Sequence, residues 1–346
     1  MSFENQLVKW YINNKRDLPW RKNKDPYQVW ISEIILQQTR VVQGRKYYIN
    51  FMKKFSTIES LASSSESEVL NIWKGLGYYN RAINLHKAAK EITNNLDGQF
   101  PKTYDEIIKL KGVGDYTASA ISSICFNEFN PVVDGNVLRL LSRYYGLKIP
   151  IDSLKAKRLV KQIGQKLINK IDNPGDFNQA MMEYGALKCT PFPDCALCIF
   201  KYKCVAFKKK EVDVIPIKSK KKKSKARFFN YIVLIDNKQN TLVTERSNKD
   251  IWYKLNEFPL LETKSEIHNI TKLTKFKEFI SGNSLLITKE NQKKYRVKHI
   301  LSHQILYITF HQFNVNQEIT PGVHLSNLHQ YNFPVPLTNF ISKLLI

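Results

Sequence analysis

Up to about residue 210 the chain repeats one pattern. Apolar residues recur at helical spacing, and Gly, Pro and capping residues break the stretches apart. Val29-Trp30-Ile31-Ser32-Glu33-Ile34-Ile35-Leu36 predicts a helix that is apolar except at Ser32 and Glu33. Thr103-Tyr104-Asp105-Glu106 has the spacing of a capping box and predicts a helix from there to Leu110. A second helix is predicted from about Asp115 through Thr117, Ala118 and Ile121, with Gly112-Val113-Gly114 between the two. A further helix, carrying Leu138, Leu140 and Leu141, follows Asp134. Beyond residue 228 the texture changes to strands. Phe228 to Ile235, Thr241 to Thr244 and Leu306 to Phe310 are the clearest. The expected architecture is multidomain: an all-α region over 1–210, a linker over 211–227, and a smaller α+β domain over 228–346. No internal repeat is visible.

Charge adds a partner to this picture. Lys and Arg number 54 against 30 acids in 346 residues, a formal net charge of +24. That excess is an electrostatic footprint for a polyanion, although a generally Lys-rich composition is the plainer explanation of part of it. Lysines crowd the segment after Cys204, at 208–210, 218, 220–223 and 225, followed by Arg227. A like-charge block this dense reads as a solvated connector, and it can also lie along a phosphate backbone. No apolar run reaches membrane-spanning length, so no membrane association is expected. No signal peptide is recognised, so a reducing, cytoplasmic setting is expected.

Cysteine spacing brings in a metal. Cys189, Cys195, Cys198 and Cys204 form C-x5-C-x2-C-x5-C, and Cys125 stands apart in the apolar run Ala120 to Phe126 as an inert core residue. Four thiolates on one short loop suit a 4Fe–4S cluster or a zinc ion. The five-residue gaps fit a compact zinc finger less well, and a reducing compartment argues against disulfides.

Two carboxylates have unlike settings. On a helix, Glu33 has Val29, Trp30, Leu36 and Gln37 three and four positions away. Three of the four are apolar, so its pKa should be raised, as a general acid at neutral pH requires. An exposed Glu on an amphipathic helix is the competing reading. Asp134, in Val132-Val133-Asp134-Gly135-Asn136, precedes a helix whose dipole and free N–H groups should keep it ionised, and a simple N-cap explains the same sequence. One acid pushed toward neutral and one toward charge suit cleavage of a glycosidic bond through a cationic sugar. Gly112-Val113-Gly114, between two short helices, suits a helix-hairpin-helix clamp (near 103–125) on a DNA phosphate better than a plain turn. Both glycines are expected to supply positive φ or close approach.

Taken in order, Leu18-Pro19-Trp20-Arg21, Glu33 to Gln37-Gln38-Thr39, Gly75-Leu76-Gly77-Tyr78-Tyr79, Gly112 to Ala118, Val133 to Asn136 and the four cysteines resemble the MutY-type adenine DNA glycosylases of the helix-hairpin-helix superfamily. The resemblance covers most of residues 1–210 and implies an endonuclease III-like core with one 4Fe–4S cluster on loop 189–204. It also implies removal of adenine mispaired with 8-oxoguanine or guanine, in base excision repair. Glu33 matches the acid that protonates adenine. Asp134 matches the carboxylate that stabilises the cationic sugar, with a transient covalent adduct as one route, and Tyr116 and Asn136 match the residues that position it. Arg21 and Glu183 match adenine-pocket contacts. Gln38, Thr39, Leu76 and Tyr78 match a wedge that fills the DNA stack opposite the flipped base.

Two positions depart from the family's pattern. The first cysteine gap is five residues rather than six. In the C-terminal domain, which the resemblance makes Nudix-like, a Phe-Ser-His loop that reads 8-oxoguanine is replaced by Leu301-Ser302-His303. Without the resemblance, His303 reads as a surface-strand histidine. Endonuclease III-like and thymine mismatch glycosylases are the nearest alternatives. The former place a Schiff-base lysine where Tyr116 stands. A Nudix pyrophosphatase would need a helix dense in Glu and Arg, and Glu262 to Phe279 holds only Glu262, Glu266 and Glu278. The expected partner is double-stranded DNA bearing the mispair, bound by a monomer, with the nucleoid as its location.

Overall fold

The computed structural model describes residues 1–219, 224–291 and 294–345; Lys220 to Lys223 of the expected linker lie outside them. Contacts divide the chain into two units. One holds Met1–Ile72 and Arg81–Lys220, the other Trp73–Asn80 and Lys221–Ile346. No helix among the described residues is long and apolar enough to cross a membrane.

The first unit is helical. In chain order it runs α1 (Phe3–Asn14), α2 (Pro26–Leu36), α3 (Val41–Lys54), α4 (Ile58–Ala62), α5 (Glu66–Ile72) and α6 (Asn80–Asn95). Then come α7 (Tyr104–Ile107), α8 (Asp115–Phe126), α9 (Gly135–Tyr145), α10 (Leu154–Ile168), α11 (Pro174–Leu187) and α12 (Val205–Lys208). Local chemistry sets the starts of the helices that matter for function. Asp25 caps α2 by accepting from the Tyr27 and Gln28 N–H groups, with Pro26 in the first turn. Val29 to Ile35 are all buried, so α2 is a core helix rather than an amphipathic surface one. Thr103 and Glu106 close a reciprocal capping box on α7.

That helix is shorter than the sequence predicts. It ends at Ile107, and the bonds tighten to a three-residue pattern from Lys109 N–H to Glu106 O and from Leu110 N–H to Ile107 O. Gly112 then takes φ +81°, and an added Cβ would lie 2.6 Å from Asn84 Cβ. Gly114 differs from expectation. Its φ is −110°, and a Cβ there would meet nothing within 4 Å. It serves as the N-cap of α8 and leaves the backbone there uncovered.

The segment 211–219 packs onto the helical unit. Ile215 is fully buried, its carbonyl takes a 2.7 Å bond from Arg143 Nε, and Ile151 N–H bonds Ile217 O at 2.9 Å.

The second unit is built on a mixed sheet. Its strands are β1 (Lys225–Ile235), β2 (Asn240–Thr241), β3 (Thr244–Glu245), β4 (Asn256–Glu257), β5 (Leu260–Thr263), β6 (Ile287–Glu290), β7 (Tyr295–Ile300), β8 (Gln304–Val315) and β9 (Val323–His324). They are joined by α13 (Thr274–Gly282) and α14 (Val335–Leu344). β1 pairs antiparallel with β5 and parallel with β8, whose other edge takes β7 and β6. Strand alternation separates two cores. Phe229, Tyr231, Val233, Leu306, Ile308 and Phe310 face Leu337, Phe340 and Ile341 of α14. Ile232, Leu234, Phe313 and Val315 face Phe276 of α13. Both long strands extend beyond the predicted runs. The run Thr241 to Thr244 is instead split: Thr241 pairs with Val323 and Thr244 with Glu257, so two short bridges replace one strand. Helix α13 carries one acid, Glu278, and lacks the carboxylate density of a magnesium-binding Nudix helix.

Candidate active site

Helices α2, α8, α9 and α11, with the turn after α1, frame a cleft of about 590 Å³. It collects seven residues singled out from sequence: Arg21, Glu33, Thr39, Tyr116, Asp134, Asn136 and Glu183. They are separated by up to 162 positions in the chain, so the cleft is a product of packing rather than of one motif. Gly185 permits part of that packing. A Cβ there would lie 2.7 Å from Asn136 Cβ and 2.8 Å from its carbonyl, so α11 can approach α9 this closely only without a side chain.

Glu33 projects into the cleft from the third turn of α2 and is 8% exposed. Burial raises its carboxyl to about pKa 7; a hydrogen bond from Tyr116 and the charge of Arg21 pull the other way, and Asp134 adds a push. The sequence-based expectation of a raised value holds, and apolar surroundings are the cause. The Tyr116 hydroxyl also points at Met182 Sδ, 3.1 Å away.

Asp134 caps α9. It accepts from Val137 N–H at 2.7 Å and from Asn136 Nδ2 at 2.7 Å. Here the expectation needs correction. Burial dominates and moves its pKa up from the usual Asp value, against the pull of these bonds and of Arg139. A helix N-terminus at a buried position does not by itself hold an aspartate low, because desolvation acts on the same charge.

Glu183 is wholly buried, yet its pKa falls to about 2. Burial alone would raise it; bonds from Arg16 and Arg21 outweigh that. Arg16 donates from its backbone N–H (2.9 Å), Nε (2.8 Å) and Nη2 (2.7 Å), and Arg21 Nη2 adds a bond of 2.9 Å. Arg16 was not visible from sequence as a site residue. Its one signal is its place five positions before Arg21, in the turn leading to Leu18-Pro19-Trp20-Arg21.

The expected wedge residues divide. Gln38 is exposed with φ +58°, and Thr39 is half-buried. In the second unit, Tyr78 is 51% exposed with φ +50°, while Leu76 is buried at 8% exposure. Left-handed backbone at non-glycine residues is strained, and such residues cluster at functional sites. The Tyr78 hydroxyl meets Ser302 Oγ at 2.5 Å, so two of the residues expected to read the lesion strand are paired within that unit. Ser302 and His303 form the exposed tip between β7 and β8, closed by a Leu301 N–H to Gln304 O bond. Leu301 packs against the sheet core.

The four cysteines line one cavity with Leu140, Tyr144, Phe200 and Phe207. No disulfide joins them. No group of three or more His, Cys, Asp or Glu among the described residues converges to metal-holding distance. Two of the sulfurs are nonetheless addressed by donors. Arg143 Nη1 reaches Cys189 Sγ at 3.6 Å, and the Phe200 N–H reaches Cys198 Sγ at 3.4 Å. Tyr184 Oη lies 3.2 Å from Cys198 Sγ. Four sulfurs around one apolar-walled space, with polar hydrogens aimed at those of Cys189 and Cys198, fit the needs of cluster thiolates. Arg139 ties this loop to the cleft. It donates to Cys189 O, Gly185 O and Asn136 Oδ1, and Asn136 in turn holds Asp134. Sequence reasoning missed both arginines, although their four-residue spacing on α9 puts them on one face.

Comparison with known proteins assigns both units. Residues 31–170 match the HhH-GPD superfamily of base excision DNA repair proteins, and residues 230–343 match the NUDIX domain. The chain is 36% identical to an adenine DNA glycosylase of Buchnera aphidicola subsp. Schizaphis graminum over 351 residues, spanning 98% of this chain and 97% of that one. It is 41% identical to the adenine DNA glycosylase of Homo sapiens over 215 residues, covering 59% of this chain and 39% of the human protein. Among solved structures, a thermostable thymine-DNA glycosylase superimposes with TM-score 0.55 at 28% identity, over 60% of this chain and 95% of its own. A non-covalent endonuclease III–DNA complex gives TM-score 0.51 at 21% identity, over 60% of this chain and 94% of its own, a likeness of fold alone.

Proposed function

The chain belongs to the adenine DNA glycosylases of the HhH-GPD superfamily, and from that premise we propose which mispair it acts on and which residues carry the reaction. It removes adenine from DNA in base excision repair. The mispair partner in this reading is 8-oxoguanine, with guanine as a weaker alternative.

The observation that carries the reading is a buried Glu33 with a pKa of about 7 in the same cleft as Asp134. At neutral pH a large fraction of Glu33 holds a proton it can give to the adenine ring. The bond from the sugar C1′ to the base then breaks, and its electron pair leaves with the protonated base. Asp134 opposes the positive charge that develops on the sugar, and water adds at C1′ to complete the hydrolysis. For this, Asp134 has to be the carboxylate while Glu33 is the acid. The donor count favours that order. Asp134 has an N–H at a helix start and the Asn136 amide, whereas Glu33 has a tyrosine hydroxyl. Arg16, Arg21 and Glu183 form a fixed polar wall that suits the hydrogen-bonding edge of a flipped base.

The remaining assignments follow the same reading. Tyr116 and Asn136 position the sugar and Asp134. Gly112, Val113 and Gly114 offer backbone to a phosphate. Gln38, Thr39, Leu76 and Tyr78 fill the stack, and Ser302 and His303 read the 8-oxoguanine. Cys189, Cys195, Cys198 and Cys204 hold one 4Fe–4S cluster, which when bound supplies a rigid, electron-rich cross-link for the loop. The enzyme acts as a monomer on double-stranded DNA, in the compartment that holds the nucleoid.

Tyr116 offers no amine, so the enzyme is read as monofunctional and its product as an intact abasic strand. The test is base release from duplexes carrying A·8-oxoguanine, A·G, T·G and oxidised pyrimidines, each read before and after alkali. Adenine release, fastest opposite 8-oxoguanine and cut only after alkali, is expected. Release of thymine or oxidised pyrimidines, or strand scission that keeps pace with base release, would overturn the reading.

A further inference from the structure

Arg81 is the second residue of α6 and lies outside the lining of the catalytic cleft. Its side chain reaches back across 44 to 47 positions to the end of α2. Nη1 donates to Ile34 O at 2.8 Å, to Ile35 O at 3.1 Å and also to Gln37 O. The last carbonyls of a helix have no donors of their own, and a cation beside them also opposes the helix dipole. The cap residue of α2, Gln37, is extended (φ −56°, ψ 118°), and the positive φ comes one residue later, at Gln38. One guanidinium supplies donors to the carbonyls of Ile34, Ile35 and Gln37 ahead of that residue.

The Gln37–Thr39 turn begins at that cap residue. Gln38 sits at φ +58°, a conformation a non-glycine residue keeps only when its surroundings hold it. The holding bonds are few. Thr39 N–H bonds Leu36 O at 3.1 Å, the Thr39 hydroxyl donates to Gln37 O at 3.3 Å, and Gln37 Nε2 reaches Thr117 Oγ1 at 3.3 Å. Gln37 O is thus shared between Thr39 and Arg81, which makes the guanidinium part of the turn. Glu33 is placed differently, by the packing around a helix whose residues 29 to 35 are all buried.

We propose that Arg81 is a positioning residue for adenine excision, which caps α2 and so holds the Gln37–Thr39 turn in the shape that engages the mispair. It governs engagement of DNA more than the bond-breaking step. This rests on the proposed reading that Gln38 and Thr39 meet the DNA.

The test uses the full-length protein and a duplex with adenine opposite 8-oxoguanine. Arg81→Ala, Gln38→Ala and the double variant are compared by two quantities. One is Kd for the duplex carrying a non-cleavable adenosine analogue; the other is the single-turnover rate of adenine release with enzyme in saturating excess. Arg81→Ala is expected to weaken Kd roughly tenfold and to leave the saturated rate within roughly threefold. Low millimolar guanidinium should restore the Kd, because the lost group is small and its site is a set of carbonyls. The double variant should bind no worse than the weaker single variant, since both changes act on one turn. A fall in saturated rate with Kd unchanged, additive losses in the double variant, or no recovery with guanidinium overturns the proposal. Gln38→Ala weakening Kd beside an inert Arg81→Ala overturns the assignment of Arg81 alone, and both being inert overturns the reading of the turn beneath it. If Arg81→Ala does not fold, Arg81→Lys makes the same comparison. It keeps the charge with a shorter reach, and a roughly threefold weaker Kd is expected.

Discussion

Glu33 and Glu183 share one cleft and have opposite electrostatics. Both are buried, and burial raises the pKa of both. Only Glu183 has two guanidinium groups on it, so it ends near 2 while Glu33 ends near 7. The consequence for Glu33 is a stability cost with a definite sign. Between about pH 4.5 and pH 7 the folded state binds more protons than the unfolded chain, so stability falls as pH rises through that window. At about 1.4 kcal/mol per pH unit the cost is on the order of 3 kcal/mol at pH 8. Glu33→Gln should remove it. Urea melts should show the variant more stable than wild type at pH 8 and nearly equal to it near pH 4.5. Equal stabilities at both pH values would mean that Glu33 is not desolvated as the structure has it. The environment of Glu33 was legible in the sequence because its apolar neighbours lie within one helical turn. That of Glu183 was not, because Arg16 comes from 167 positions away. Asp134 was legible as a cap but misjudged as a charge, because sequence spacing carries no measure of burial.

At the scale of elements, the hairpin separates two roles that one Gly-x-Gly motif conceals. Gly112 is needed by the fold, with φ +81° and Asn84 Cβ 2.6 Å from any added Cβ. Gly114 is not needed in that way. Gly112→Ala should therefore destabilise the protein by roughly 1–3 kcal/mol. Gly114→Ala should melt like wild type yet bind duplex more weakly, equally for mispaired and normal DNA, because it obstructs a phosphate. Wild-type affinity in Gly114→Ala would remove the backbone of this turn from the DNA interface. The cysteine loop makes a separate prediction. Purified protein should be brown with about four irons per chain, and a colourless protein with one zinc would refute the cluster. Element types were largely readable from apolar period and caps. Strand partners were not: β1 and β8 pair in parallel although 68 residues separate the end of Ile235 from Gln304. No local pattern encodes that choice. The splitting of Thr241 to Thr244 between two partners was hidden for the same reason.

At the scale of the whole molecule, the helical unit carries the cleft and the C-terminal unit carries the Ser302-His303 tip beside Tyr78. Ser302→Ala combined with His303→Ala should lower the preference for A·8-oxoguanine over A·G by roughly 1–3 kcal/mol, as the loss of one or two buried polar contacts would. Comparing single-turnover rates on the two duplexes measures it, and an undiminished preference would place lesion reading elsewhere. A truncation that tests the same division should end after Ser219 rather than at Lys210. The shorter chain would strip Ile215, fully buried, from its bond with Arg143. The linker lysines were readable as a charge block, but the apolar anchor ahead of them was not, because Val212, Val214, Ile215 and Ile217 hold neither a helical nor a strand period.

The central claim is that adenine leaves with a proton from Glu33. Its most direct test is the single-turnover rate of adenine release by the full-length enzyme on A·8-oxoguanine DNA, measured from about pH 5 to pH 9 for wild type and Glu33→Gln. Because the active form is the acid, the wild-type rate should be level below about pH 7 and fall with rising pH above it. Glu33→Gln should bind the duplex normally and release almost no adenine at any pH. A pH-independent wild-type rate across that range, or a variant within roughly tenfold of wild type, would contradict the claim.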